Sequence, residues 1–473
     1  MSKATIHYYD IGDYLSREEK LSIIKKFGSI SNIPWRTLEP NEYGDWISLR
    51  NDVFGSFIPL EPEKKFDNKN QTVFIANSNG VKTNRDAWCY NSNKAIVTLK
   101  ITETIDFYNQ QCISYNENRK NYPLLKVENF IKFDSIKISW DRENKADVFK
   151  NVKYNFDKTG MRLAIYRPFF KQIMYFNRKL NNCIYQQLKL FPKPNLNNLV
   201  ICVSGVGVTK DFSCIISDTL PDLELIGKSQ CFPLYYYEER AKSSPTLFDS
   251  AAENEFIRRD GISDFILERA KQQYGLSPSP LGRAGVGPSK EDIFYYVYGI
   301  LHSPDYRTAF ANDLKKMLPR IPLVEDVRDF WKFSKAGRAL ADLHINYESV
   351  PPYAGVKVLP LGEDLGGASF LVEKMRFPKK GQKDTIIYNS HITISNIPEK
   401  AYEYVVNGKS AIEWIMERYA ITVHKESGIK NDPNDWAKEV GNPRYILDLL
   451  LSIINVSVQT VEIVEGLPGV RFE

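Results

Sequence analysis

The segment VKTNRDAWCYN (81–91) sets a lysine, an arginine, an aspartate and a tryptophan close behind an apolar run, TVFIA (72–76), and a turn, NSNG (77–80). These residue types suit contact with a polyanion. Lys82 and Arg85 can hold phosphates, Thr83 and Asn84 can hydrogen-bond to backbone or base oxygens, and Asp86 can brace Arg85. A turn made on Gly80 carries no side chain to hold a duplex off. The same stretch also reads as a solvated loop whose Trp88 folds back onto the core, and its own residues do not decide between the two.

A second set of basic residues lies beyond it. Residues 141–200 carry 12 Lys/Arg against 4 Asp/Glu, in a chain of 473 residues whose net charge is only +5. Within that stretch, YRPFFKQIMYF (166–176) interleaves Arg167 and Lys171 with aromatic rings, and Arg178 and Lys179 follow at once. Lys374, Arg376, Lys379, Lys380 and Lys383 form a further cluster. Basic residues among aromatics fit a nucleic-acid footprint, and they fit a solvated face equally well.

Other chemistries find no footing. The sequence has no G-x-x-x-x-G-K-[ST], no G-x-S-x-G and no H-E-x-x-H. GVG (205–207) and GEDLGG (362–367) lack the context of a nucleotide loop and read as turns. NPRY (442–445) reads as a helix cap. The five histidines have no metal-ligand spacing, and the six cysteines lie far apart, as in a reducing cytoplasm. No sequence run is long and apolar enough to predict a membrane span. The chain shows no complete catalytic constellation, and no cofactor or metal site is expected in it.

The elements that must position these residues are mixed. Residues 5–9 read as a strand, and SREE (16–19) is a capping box ahead of a helix. A strand so near Met1 predicts a chain that begins in mid-fold, as the later part of a longer polypeptide or of a split gene. Helices are expected at about 43–57 and 96–118. Short β runs are expected at 136–140, 162–166, 172–176, 199–203, 213–216 and 232–237. SPSPLGRAGVGP (277–288) reads as a mobile loop. Helices follow from Ser289, from Ser303-Pro304 and over 324–346, then a β insertion at 368–394 and helices at 398–406, 409–419 and 443–456.

Several longer blocks resemble one family. HYYDIGDYLSREEKL (7–21), NEYGDWISLRNDVF (41–54), GVKTNRDAWCYN (80–91) and IYRPFFKQIMYF (165–176) are similar to the carboxyl-terminal part of Type ISP restriction–modification enzymes. So are SQCFPLYYYEE (229–239), YVYGILHSPDYRTAFANDLKKMLPRIPL (296–323), VVNGKSAIEWIMERY (405–419) and SGIKNDPNDW (427–436). The resemblance implies an α+β target-recognition (specificity) domain over 96–473, with mixed β segments reading DNA and a mostly helical carboxyl-terminal part. Residues 1–95 would be the closing segment of an N6-adenine methyltransferase domain and its junction, which places the 81–91 loop at that junction.

The implied function is sequence-specific recognition of double-stranded DNA on behalf of upstream methyltransferase, helicase-like ATPase and nuclease parts. S-adenosylmethionine, ATP and Mg would serve those parts, and this chain alone is expected to be inactive. A cytoplasmic monomer that meets no membrane is expected. The candidate DNA-contacting residues are Lys82, Thr83, Asn84, Arg85, Arg167, Lys171, Arg178, Lys179, Lys379 and Lys380. Two other readings stay open: a coupling domain that docks on an adenine methyltransferase without touching bases, and a diverged methyltransferase.

Overall fold

The computed structural model describes residues 5–42, 44–62, 71–240, 255–275, 287–359 and 370–472. The loop expected at 277–288 falls almost wholly outside them, as does the glycine run 362–367. The chain forms two compact units, Met1–Asp52 and Val53–Glu473. The division therefore comes well before residue 95, because Leu60, Val73 and Phe74 are core residues of the second unit.

In the first unit Ile6–Tyr8 pairs antiparallel with Arg36–Leu38, in the register Ile6↔Leu38. The helix Arg17–Phe27 starts on the expected capping box. The Ser16 hydroxyl accepts from the Glu19 N–H while the Glu19 carboxylate accepts from the Ser16 N–H. No described residue of this unit is buried, and Leu21, Ile24 and Ile30 stay 55%, 53% and 76% exposed. The helix expected over 43–57 does not form. Asn41 and Ser48 bond locally to the backbone of Asp45 and Arg50, competing with helical hydrogen bonds, and only a 3-10 turn, Asp52–Ser56, remains.

The second unit is α+β. One four-stranded sheet runs in the order Leu220–Pro221, Met161–Arg167, Phe170–Tyr175, Tyr90–Asn91, with its first pair parallel and the rest antiparallel. The other runs Ser78–Asn79, Gln230–Pro233, Val200–Val203, Cys214–Ser217, antiparallel throughout. The 28-residue helix Lys94–Asn121 covers the first sheet with Val97, Ile101, Ile105, Tyr108 and Tyr115. Ile136–Trp140, expected as a strand, is a turn: Asp134 caps the Ile136 N–H and its carbonyl accepts from Lys137 and Ile138.

Two helices, Lys290–His302 and Val327–Ile345, cross with backbone touching backbone. A Cβ on Gly337 would lie 1.9 Å from the Tyr295 carbonyl oxygen, so glycine is required there. Only a 3-10 turn, Glu399–Tyr402, forms within the helix expected at 398–406. A hairpin follows it, turning on Asn407 (φ 49) and Gly408 (φ 79), the Asn-Gly turn signal that the helical reading passed over. The closing helix Tyr445–Glu465 is long and apolar enough to cross a membrane, but 72% of its apolar window is buried inside the protein. It is the helix around which the larger core assembles, through Leu447, Leu450, Ile453 and Ile454.

Candidate nucleic-acid interface

Residues 80–91 are stitched to the body of the larger unit at every step. The Gly80 N–H donates to the Ser229 carbonyl (3.0 Å), Val81 to Pro221 (2.8 Å), and Lys82 and Cys183 exchange two bonds of 2.9 Å. Gly80 serves this stitching and not approach to a ligand. A Cβ there would stand 2.4 Å from the Asp222 carbonyl oxygen. The chain then turns at Asn84 (φ 57), whose side chain is exposed.

Arg85 is turned inward. It is 3% exposed, donating to the carbonyls of Leu180 (2.7 Å) and Ser139 (3.1 Å) and to the side chains of Asp141 and Asn144. That corrects two expectations. Arg85 is buried and spends its guanidinium inside the fold, out of a phosphate's reach, and its carboxylate partner is Asp141 instead of Asp86. Asp86 accepts from the Thr83 hydroxyl and from the Tyr166 hydroxyl (2.9 Å), so Thr83 is committed too. Trp88 lies in the core as expected, 4% exposed.

The expected contacts at Arg167 and Lys171 are corrected in the same way. Arg167 donates to Asp222 at 2.7 Å and lies 3.9 Å above the Tyr166 ring. Burial, opposed by the Arg167 charge, pushes the Asp222 carboxyl up to about 7. Lys171 pairs with Glu348 at 2.8 Å. Half-buried arginines and lysines gain from such partners, because an unpaired charge drawn out of water is costly. The remaining expected residues are accessible. Arg178, Lys379 and Lys380 are exposed and Lys82 is partly so, none with an ion pair among the described residues. Lys179 is exposed and pairs with Asp147 at 2.8 Å.

Two neighbouring cavities open beside the loop. One, of about 600 Å³, is lined by Lys82, Asn84, Asp86, Glu224, His424 and Glu426, among others. The other, of about 280 Å³, shares Asp86, Tyr166 and His424 and adds Tyr90, Gln172 and Asn431. Carboxylates outnumber cations around the first. Such a wall repels phosphates and accepts hydrogen bonds from the amino groups on base edges. Sequence reasoning missed Gln172, Glu224, His424, Glu426 and Asn431. Apart from the resemblance of IYRPFFKQIMYF, which holds Gln172, and of SGIKNDPNDW, which holds Asn431, no local pattern marks them. Among the described residues no group of His, Cys, Asp and Glu could hold a metal ion.

The model of the Type ISP C-terminal specificity domain matches residues 72–449. No curated protein matches the chain. Among solved structures, it is similar to a nuclease-deletion mutant of the Type ISP restriction–modification enzyme LlaGI in complex with a DNA substrate mimic. The identity is 39% over 99% of this chain and 39% of that one, with a TM-score of 0.79. The ATP-dependent Type ISP enzyme LlaBIII bound to DNA is 37% identical over 99% of this chain and 28% of its own, with a TM-score of 0.81. A DrdV–DNA complex is 28% identical over 98% and 43%, with a TM-score of 0.76. The chain thus spans less than half the length of each.

Proposed function

Because the chain belongs to the Type ISP C-terminal specificity-domain family, we propose that it recognises double-stranded DNA in a sequence-specific manner and directs methyltransferase, ATPase and nuclease parts to their site. The observation that carries this reading is the likeness over 99% of the chain to two enzymes held on DNA, at 39% and 37% identity. Partly exposed Lys82 and exposed Arg178, Lys179, Lys379 and Lys380 would hold phosphates, which position a duplex without reading it. The acid-lined groove beside Asn84 would supply the reading.

The first unit supports a protein partner. Its helix presents Leu21 and Ile24 to solvent and buries nothing, which fits a face completed by an adenine-methyltransferase domain or subunit. S-adenosylmethionine, ATP and Mg would act on that partner's side, in the cytoplasm, and the chain alone would neither methylate, hydrolyse ATP nor cut. Fluorescence anisotropy with a labelled duplex tests the reading. Binding should weaken with salt, linearly in log–log, with a slope near −0.9 per phosphate neutralised. Absence of binding at low salt would favour a coupling domain that docks on a methyltransferase without base contacts.

A further inference from the structure

We infer that the 280 Å³ cavity beside Tyr166 receives a single unpaired nucleobase, a role that rests on the DNA-binding reading above and goes beyond it. Its wall holds a fixed pair of amides. The Ser92 backbone N–H donates to Asn431 Oδ1 (2.8 Å), which settles the orientation of that amide. Gln172 must then present its Nε2 to the same oxygen (3.0 Å). One acceptor, Gln172 Oε1, and one donor, Asn431 Nδ2, are left with no partner among the described residues. Every nucleobase carries a donor beside an acceptor on its Watson–Crick edge, which is the complement of this pair.

The rest of the cavity suits a flat ring. Tyr90 and Tyr166 stand 4.6 Å apart with their hydroxyls tied to Asp222 (3.0 Å) and Asp86 (2.9 Å), so both rings are held in place. Phe170 also lines it, braced edge-on against Tyr419 at 4.9 Å. Arg418 lines it too, with Nη2 on Glu417 at 2.6 Å and Nε buried without a hydrogen-bond partner. The volume lies at the bottom of the range of small-molecule sites, too small for a whole dinucleotide cofactor.

Burial decides that the base must come to the protein. Gln172 is 3% exposed and sits on a strand of the sheet, so it cannot reach into the groove of a stacked duplex. Proteins read such a base by drawing it out of the stack, to be held between rings and hydrogen-bonded on its edge.

The test uses the full chain with two labelled duplexes, one fully matched and one with a central bubble of unpaired thymidines. The wild type should prefer the bubble by about tenfold, in the range of one base stacked on an aromatic wall. Asn431→Asp keeps the Oδ1 acceptor and removes the Nδ2 donor, so it should erase that ratio even where its charge weakens both complexes. Gln172→Leu, checked for an unchanged fold by circular dichroism, should erase it as well. A wild type without preference, or a ratio that survives both substitutions, overturns the inference while matched-duplex binding leaves the DNA reading standing. Failure to bind either duplex overturns both.

Discussion

Gly80 and Asp222 meet backbone to backbone: a Cβ on residue 80 would lie 2.4 Å from the Asp222 carbonyl oxygen and 2.7 Å from the Leu223 nitrogen. Neither atom belongs to a flexible side chain that could swing away. Gly80→Ala should therefore destabilise the larger unit by about 1–3 kcal/mol, the usual cost of forcing an extra carbon into a packed site. Chemical denaturation reads it directly. An unchanged midpoint would mean that the backbone there relaxes freely.

Arg85→Ala should be a stability mutant. It strips a guanidinium from two carbonyls, Asp141 and Asn144, and breaking a buried charge pair by removing one partner costs roughly 3–5 kcal/mol. The coupling should appear with Asp141→Ala and not with Asp86→Ala in a double-mutant cycle. Normal melting combined with weakened DNA affinity would contradict the inward placement of Arg85.

Asp222 gives a pH signature. Burial, against the Arg167 charge, raises its carboxyl to about 7, whereas an unfolded aspartate titrates near 3.9. Between about pH 4 and 7 the folded chain thus holds a proton that the unfolded chain has released. The contribution of this group to stability is complete below that window and is lost as pH rises through about 7. Urea unfolding of wild type and Asp222→Asn should show the wild type losing ground to the variant as pH rises from about 5 to 8. A constant difference across that interval would refute the assignment.

The accessible lysines should behave differently from the ion-paired cations of the sheet. Replacing Lys379 and Lys380 by Gln should leave melting unchanged and reduce the salt slope of duplex binding by about 0.9 for each phosphate that is no longer neutralised. Arg167→Gln should instead lower the melting temperature, because it strands Asp222. Salt titrations of both variants separate the two classes. An unaltered slope in the lysine pair would place the phosphate track elsewhere.

The features legible in the chain itself are local or periodic. Ser16 and Ser289 cap helices because an acidic residue three positions on completes the box. The face of Phe330, Phe333, Leu340 and Leu343 is buried because helical spacing aligns it. Residues 161–167 and 170–175 pair because β-prone residues flank a tight turn at Pro168-Phe169. The extended blocks of resemblance also carried the family, since they preserve residue order over most of the chain.

Where charge goes was settled by the packing of distant segments. Lys82 and Arg85 look alike in VKTNRDAWCYN, yet only Arg85 meets acceptors on Ser139, Asp141 and Leu180, residues that no local spacing relates to it. Asn431 becomes a wall of the cavity because it bonds to Ser92 and Gln172, each hundreds of residues earlier in the chain. A guanidinium or an amide has the same donors wherever it stands in a sequence. Whether those donors are spent inside or left for a ligand depends on which distant acceptors the fold brings within about 3 Å, because desolvation makes every buried polar atom seek one.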